Sequence, residues 1–312
     1  MSSLIRNSIN SQVIKSGYVG IFIKDQSKLQ INEVYQRNTP VPVASISKPF
    51  TAFSILKLVD LGVIKLNDPV ARYFPDLFEF RNMKGGVEIT VRDLLQHTSG
   101  IPYEGKVAMV KISIGKRNYV IPNQVAIAGT KFIYSNYNYR LLAKLVEKTI
   151  GQSLSDFLIE NLFEPLDIVD YNLESFDGAA GLEISPQAIY KFSKMILSGG
   201  VWEGKRLISR KKIKYFVKPP RFTKTKPISY YGIGWTIYRT KNKIEFLTHK
   251  GKGDYSHSVL KIYPRKAAIS MLFTLQTRKN PKKFNQLNTI LEQKLEKYFI
   301  QLDKLEEGSI KK

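Results

Sequence analysis

Residues 44–52 read Ala-Ser-Ile-Ser-Lys-Pro-Phe-Thr-Ala, and the chain on either side of them changes character. Upstream, Asn38, Pro40 and Pro42 force an extended connection, because a proline disfavours helical geometry in the residue before it. Downstream, Phe50, Phe53, Leu56, Leu58 and Val59 have helical spacing, which predicts a helix from about Ser45 to Leu61. Pro49 is compatible with that helix because it falls in the first turn. Ser45-Ile46-Ser47-Lys48 is then a Ser-x-x-Lys motif at a helix start. Three residues of helix place the serine oxygen and the lysine amine on one face.

Working outward, Tyr18 to Lys24 reads as a strand and Gln30 to Gln36 as a weaker second one. Short turns and helices follow from Asp68 to Thr130, among them Thr90 to Gln96, where Thr90 can cap and Asp93 sits three residues on. Tyr139 to Thr149, Leu154 to Leu162 and Pro186 to Leu197 look helical. After Gly200 strands are expected at Tyr231 to Tyr238, Ile244 to His249, Ser256 to Tyr263 and Ala267 to Leu275, with Pro264-Arg265-Lys266 joining the last two as a hairpin. Leu287, Ile290, Leu291, Leu295 and Phe299 repeat at helical spacing, and fraying is expected from about Lys304. This order predicts an α+β fold in which the first and last segments share one sheet. Its parts are a discontinuous sheet domain (1–75 and 200–303), a mainly helical domain (76–199) and a frayed tail (304–312). The stretch 103–128 shows no readable pattern and fits either a lid or ordinary packing.

The chain has 312 residues and no cysteine, which excludes disulfides, thiolate metal sites and cysteine nucleophiles. Its three histidines, His97, His249 and His257, are too scattered to suggest a zinc centre, so neither a metal nor another cofactor is expected. No membrane-length apolar run and no secretory leader pattern is seen, which gives a cytoplasmic expectation. The formal net charge is +23, with basic runs at Lys205 to Lys226 and Arg278 to Lys283. Such runs attract nucleic acid or other polyanions, or serve simply as a solvated surface; without a nucleic-acid fold the second is favoured.

Ser-x-x-Lys also occurs at Ser54/Lys57, Ser113/Lys116, Ser209/Lys212, Ser258/Lys261 and Ser309/Lys312. Ser45 differs in opening a helix, where free N–H groups and the helix dipole favour a developing anion. A serine hydroxyl becomes a useful nucleophile when a neighbouring base takes its proton, so Lys48 has to be neutral, with a pKa lowered by burial or nearby cations. Tyr134-Ser135-Asn136 is the only Tyr-x-Asn in the chain. Its tyrosine, as tyrosinate or hydrogen-bonded phenol, can relay a proton, and its asparagine can hold a substrate carbonyl and contact the lysine. A third element, His249-Lys250-Gly251, lies on a predicted central strand, where glycine lets another backbone approach. Lys15-Ser16-Gly17 and Lys84-Gly85-Gly86 match a looser version of it but precede the serine or the tyrosine.

Ser-x-x-Lys, Tyr-x-Asn and His-x-Gly in this order resemble the serine β-lactamase and penicillin-binding protein superfamily. Tyrosine in the second element and histidine in the third look most like its class C β-lactamase-like esterase and D-peptidase branch. The resemblance spans roughly residues 15–300 and includes residues 66–77 (LNDPVARYFPDL), 89–102 (ITVRDLLQHTSGIP), 129–142 (GTKFIYSNYNYRLL), 151–166 (GQSLSDFLIENLFEPL) and 231–235 (YGIGW). It implies an antiparallel sheet flanked by helices plus an all-helical lobe. It implies Ser45 as acyl acceptor, Lys48 and Tyr134 as proton-transfer groups, and Asn136, His249 and Gly251 as substrate-binding residues, with His249 as the third element's cation or donor. The N–H groups of Ser45 and Lys252 would form the oxyanion hole. His97, in His-Thr-Ser-Gly, is structural by the same resemblance. Lys250 stands where a small or hydroxyl residue is usual, which implies a more cationic or partly blocked substrate edge.

The expected activity is hydrolysis of a small ester, amide or peptide through an acyl-enzyme on Ser45. The alternative is a non-catalytic relative that uses its basic surface to bind or scaffold. Retention of Ser45, Lys48, Tyr134 and Asn136 together weighs against the alternative. Substrate identity and oligomeric state are left open.

Overall fold

Along β1 (Ile14–Ile23) the side chains divide by parity: Tyr18 and Phe22 enter one apolar core, Val19, Ile21 and Ile23 the other. A strand buried on both faces belongs in the middle of a layered structure. The computed structural model, which describes residues 1–33, 36–74, 84–103, 108–222, 228–240, 243–277 and 280–309, shows what covers each face. The end of the expected 30–36 strand and four basic residues, Lys224, Lys226, Arg278 and Lys279, lie outside the described residues.

After β1 come β2 (Gln26–Glu33), β3 (Val41–Pro42), β4 (Ala108–Ile114), β5 (Arg117–Pro122), β6 (Tyr171–Asn172), β7 (Glu183–Ile184), β8 (Val201–Trp202) and β9 (Lys205–Arg206). The late strands are β10 (Ser229–Tyr231), β11 (Thr236–Thr240), β12 (Lys243–Lys252), β13 (Ser256–Tyr263) and β14 (Ala268–Gln276). Seven of them form one sheet in the order β10-β11-β12-β13-β14-β1-β2. Each pairing is antiparallel, and β1 joins the late strands through β14, with Tyr18 opposite Phe273. The first and last segments therefore share one sheet.

One face of the sheet is covered by α1 (Ser2–Asn10) and α8 (Pro281–Ser309), whose Ile5, Leu287, Leu291 and Leu295 join Val19, Val259 and Leu272. The opposite face carries α2 (Ser47–Asp60), whose residues from Ser47 to Leu56 are all buried. α3 (Val91–Leu95), α4 (Asn136–Ile150), α5 (Leu154–Leu158) and α6 (Pro186–Leu197) belong to the same side, and α7 (Arg210–Ile213) follows them. Thr90 caps α3 as expected: its Oγ1 accepts from the Asp93 N–H while Asp93 Oδ2 accepts from the Thr90 N–H.

The expected strand Tyr231 to Tyr238 is instead two strands joined by a tight turn, closed by Gly232 N–H donating to Trp235 O. Glycine decides this. Gly234 has φ +77°, and a Cβ there would stand 2.5 Å from Ala52 on α2. Within the stretch without a readable pattern, of which 104–107 lie outside the described residues, β4 and β5 form a β-hairpin that packs on the helical lobe through Ile112 and Ile121. α8 keeps helical geometry to Ser309, past Lys304. None of the described helices is long and apolar enough to cross a membrane.

Candidate active site

The chain enters α2 through a 3₁₀ turn, Ala44–Ile46, in which Ala44 holds φ +47°, a left-handed conformation costly for a residue with a Cβ. Several bonds hold it there. Val43 N–H donates to Leu182 O, Ser47 Oγ donates to Ala44 O, and Leu182 N–H donates back to Ser47 Oγ. The turn presents Ser45 at the helix start, one turn before Lys48.

Lys48 is fully buried, and its Nζ lies 3.1 Å from Ser45 Oγ, 2.8 Å from Asn136 Oδ1 and 2.9 Å from the Ala179 carbonyl. Burial pulls its pKa down from 10.5 to about 7; Asp177 opposes the shift and Arg140 adds to it. Three contacts at one nitrogen have a simple consequence. Asn136 Oδ1 and Ala179 O can only accept, so a neutral amine gives them its two N–H bonds and turns its lone pair toward Ser45 Oγ.

Tyr134 lies beside Ser45, and its ring centroid is 4.9 Å from Lys48 Nζ. Burial raises its pKa to about 12, so of the two forms open at the sequence level the structure holds the neutral phenol. His97 positions this segment. Its carbonyl accepts from Ile133 N–H, its Nδ1 accepts from Ser135 N–H and lies 3.1 Å from Asn138 Nδ2, and its ring sits 4.3 Å from that of Tyr134. Burial drives its pKa well below the ordinary value. A neutral imidazole in that place organises Tyr-x-Asn and does not touch Ser45, in keeping with a structural part.

For His249, expected as a cation or a donor, burial disfavours the cation. Burial, reinforced by Lys48, lowers its pKa to about 3. Its Nε2 is 3.0 Å from the Tyr231 hydroxyl and its Nδ1 2.9 Å from Lys250 O, so both nitrogens of the neutral ring are engaged. Lys250 departs from expectation. Alternation along β12 sends its side chain to the opposite face, where it pairs with Glu292 of α8, so it neither charges nor blocks the substrate edge.

Gly251 is needed by the protein's own backbone. A Cβ there would come within 2.1 Å of Val43 O and 2.2 Å of Ser258 Oγ. The space expected for an approaching substrate is filled by the segment that leads into Ser45. Gly251→Ala is expected to destabilise the fold by about 1–3 kcal/mol through overpacking. A urea denaturation midpoint unchanged from wild type would show that Val43 can move aside.

At the end of β12, Gly253 N–H donates to Ser256 O, and Lys252 stands opposite His257. Antiparallel pairs alternate between bonded and non-bonded, so the Lys252 N–H points away from β13. β11 accompanies β12 only as far as Thr248, which leaves that edge open beside the Ser45 turn. A Cβ on Gly253 would be 3.8 Å from that of Ala44.

The sequence profile of the Beta-lactamase family matches residues 2–292. The chain belongs to the Beta-lactamase family. It is 34% identical to Penicillin-binding protein 4* of Bacillus subtilis over an alignment of 144 residues that covers 41% of this chain and 29% of that protein. The chain spans less than two thirds of the length of the curated relatives it matches first. Among solved structures, a putative beta-lactamase from Bacteroides dorei superposes with TM-score 0.73 at 18% identity, covering 94% of this chain and 97% of that one. The D-amino acid amidase of Ochrobactrum anthropi SV3 superposes with TM-score 0.67 at 19% identity, covering 88% and 90%. Both confirm the β-lactamase/transpeptidase-like fold that the three motifs imply. In this Beta-lactamase family member the first two motifs meet at Lys48, whose side chain contacts the serine and the asparagine and lies beside the tyrosine.

Sequence reasoning missed the Ala179 carbonyl, the Tyr231 hydroxyl on His249, and Tyr103, whose hydroxyl accepts from Asn136 Nδ2 at 3.3 Å. The first is a main-chain group and carries no residue signature. The second sits in the quoted YGIGW stretch, where the glycines draw attention from the tyrosine.

Proposed function

We propose that the protein is a serine hydrolase that forms an acyl-enzyme on Ser45 and passes the acyl group to water, with a small ester or amide as substrate. The observation that carries this reading is the buried Lys48 amine, 3.1 Å from Ser45 Oγ with its two other contacts fixed on acceptors. Neutral Lys48 takes the Ser45 proton as Oγ bonds to the substrate carbonyl carbon. The oxygen that becomes negative faces the N–H groups of Ser45 and Lys252, each worth about 10²–10³ in turnover. Tyr134 carries the proton to the leaving group as its bond to carbon breaks. Water then attacks the acyl-enzyme by the reverse route, returning the proton to Ser45.

The basic surface gives the binding alternative little support. Arg206, Lys212 and Arg221 of the 205–226 run are spent on internal contacts, to Gly199 and Ile208 carbonyls, to Val59 O and to Asp93.

The test is intact-mass detection of a fluorophosphonate adduct, with Ser45→Ala alongside and a p-nitrophenyl ester series in parallel. A single adduct, absent from Ser45→Ala, is expected. An adduct that persists in Ser45→Ala, or none in the wild type, overturns the reading. The pH profile follows from the same geometry. Because the base form of Lys48 is the active one, kcat/KM should rise through an acid limb near pH 7 and stay level above it, since Tyr134 keeps its proton to about pH 12. A limb near pH 10 would mean that Lys48 is not desolvated.

A further inference from the structure

The two acceptors that aim Lys48 come from separate elements: Asn136 is the first residue of α4, and Ala179 lies in the loop before β7. Lysine chemistry at Ser45 therefore requires α4 and that loop to keep a fixed distance. One buried side chain spans them. Asp177 Oδ1 accepts from the Ala179 and Ala180 N–H groups, both at 2.9 Å, and its own N–H donates to Ala180 O. Thr51 of α2 donates to the Gly178 carbonyl at 2.6 Å. The Ala179 carbonyl is left with one direction, toward Lys48.

The other carboxylate oxygen, Oδ2, accepts from Arg140 Nε at 2.8 Å. Arg140 stands one helical turn after Asn136 on α4. The same carboxylate thus ties the loop that supplies one acceptor to the helix that supplies the other. A second bond reaches Oδ2 from the Tyr119 hydroxyl of β5 at 2.9 Å, and the Arg140 guanidinium lies 4.2 Å from the Tyr119 ring centroid. Arg117, at the start of β5, donates to Ser175 O and Oγ just before the loop. The hairpin braces the network from outside.

We infer that the Asp177–Arg140 pair, braced by Tyr119, is the positioning device that holds both acceptors of Lys48. Neither side chain is placed against Ser45, so they act through Lys48. The inference rests on the reading of Ser45 and Lys48 given above. Breaking the device is expected to reduce kcat by about 10²-fold, the scale for a misplacement of an ångström, with KM changed much less.

A structural role alone would also lower activity, so the pH profile carries the distinction. Lys48 is faced by Asp177 and Arg140, by Tyr134 and Tyr139, and by His97 and His249. Of these, the two histidines stay neutral and the tyrosines protonated near pH 7, which leaves Asp177 and Arg140 as the charges to change. Asp177→Asn removes the group that favours the Lys48 ammonium and should move its titration to lower pH. Arg140→Gln removes a group that disfavours it and should move the titration to higher pH. General loosening would hydrate the amine and raise both.

The experiment titrates Lys48 by carbon NMR of protein labelled at lysine Cε, with Lys48→Met identifying the resonance, and measures kcat and KM on a p-nitrophenyl ester. Circular dichroism melts accompany each variant, and Tyr119→Phe serves as the mild variant that keeps the ring. Opposite displacements with reduced kcat, and a smaller fall in kcat for Tyr119→Phe, support the device. A titration that moves upward in both variants overturns it, as does kcat within about threefold of wild type in all three. The NMR reading does not depend on turnover, so a wild type that fails to label at Ser45 counts against the proposed function and not against the device.

Discussion

Lys48→Met is expected to lower kcat/KM by about 10⁴-fold, the upper end of what a positioned general base supplies. Methionine keeps the length and apolar stem of lysine but has no basic nitrogen. At pH 7.5 an amine with a pKa of about 7 is mostly neutral, whereas one at the ordinary value is neutral in about 0.1% of molecules. Burial in α2 therefore supplies roughly three decades of base concentration before geometry is counted. The substitution also leaves Asn136 Oδ1 and Ala179 O without their donor, and each buried unsatisfied acceptor costs about 1–3 kcal/mol. A lower melting temperature should accompany the loss of activity. Lys48→Arg should not restore turnover, because guanidinium stays charged and is larger and planar. The comparison is made on folded protein, by fluorophosphonate labelling rate and by ester hydrolysis. Retention of more than a tenth of wild-type labelling in Lys48→Met would falsify the role of the amine.

What could be read in advance follows from where each signal resides. Ser45, Lys48, Tyr134 and Asn136 carry their chemistry in side chains at fixed local spacing, and the structure brings Ser45, Asn136 and Tyr134 around the Lys48 amine. The shared sheet was legible from the order of elements, an early strand pair, a helical middle and a late run of strands, and β1 and β14 bear it out by pairing with each other. Elsewhere the determining contact was remote in the chain. Nothing local marks Arg140 and Asp177 as partners, and Ala179 acts through a carbonyl that any residue has. Lys250 and Gly251 were read as part of the substrate edge, without the neighbours that the structure gives them. Parity puts Lys250 under α8, and the backbone that approaches Gly251 is that of Val43. Charge states needed burial, which sequence spacing does not report: the same residue types gave a neutral His249 and a protonated Tyr134.

Tyr134→Phe should separate substrates by leaving group. The phenol lies beside Ser45 and keeps its proton to about pH 12, so the part proposed for it at neutral pH is to pass a proton along, in step with Lys48. An amide leaves as an amine and needs that proton as the carbon–nitrogen bond breaks. p-Nitrophenolate is a stable anion and leaves without one. Loss of the hydroxyl is therefore expected to lower kcat for an anilide or amide by about 10²–10⁴-fold, the range for general acid–base catalysis, and to lower kcat for the matching p-nitrophenyl ester far less. The acid limb near pH 7 should persist in the variant, because Lys48 remains in place with its asparagine and carbonyl acceptors. His97 keeps the ring of its tilted neighbour, so the Ser135 and Asn138 contacts to its Nδ1 should keep Asn136 in register. Matched kcat measurements on one acyl group carried as anilide and as nitrophenyl ester check the split. Equal losses on both would move Tyr134 from leaving-group protonation to Ser45 activation, and would make Lys48 and Tyr134 a single proton-accepting unit.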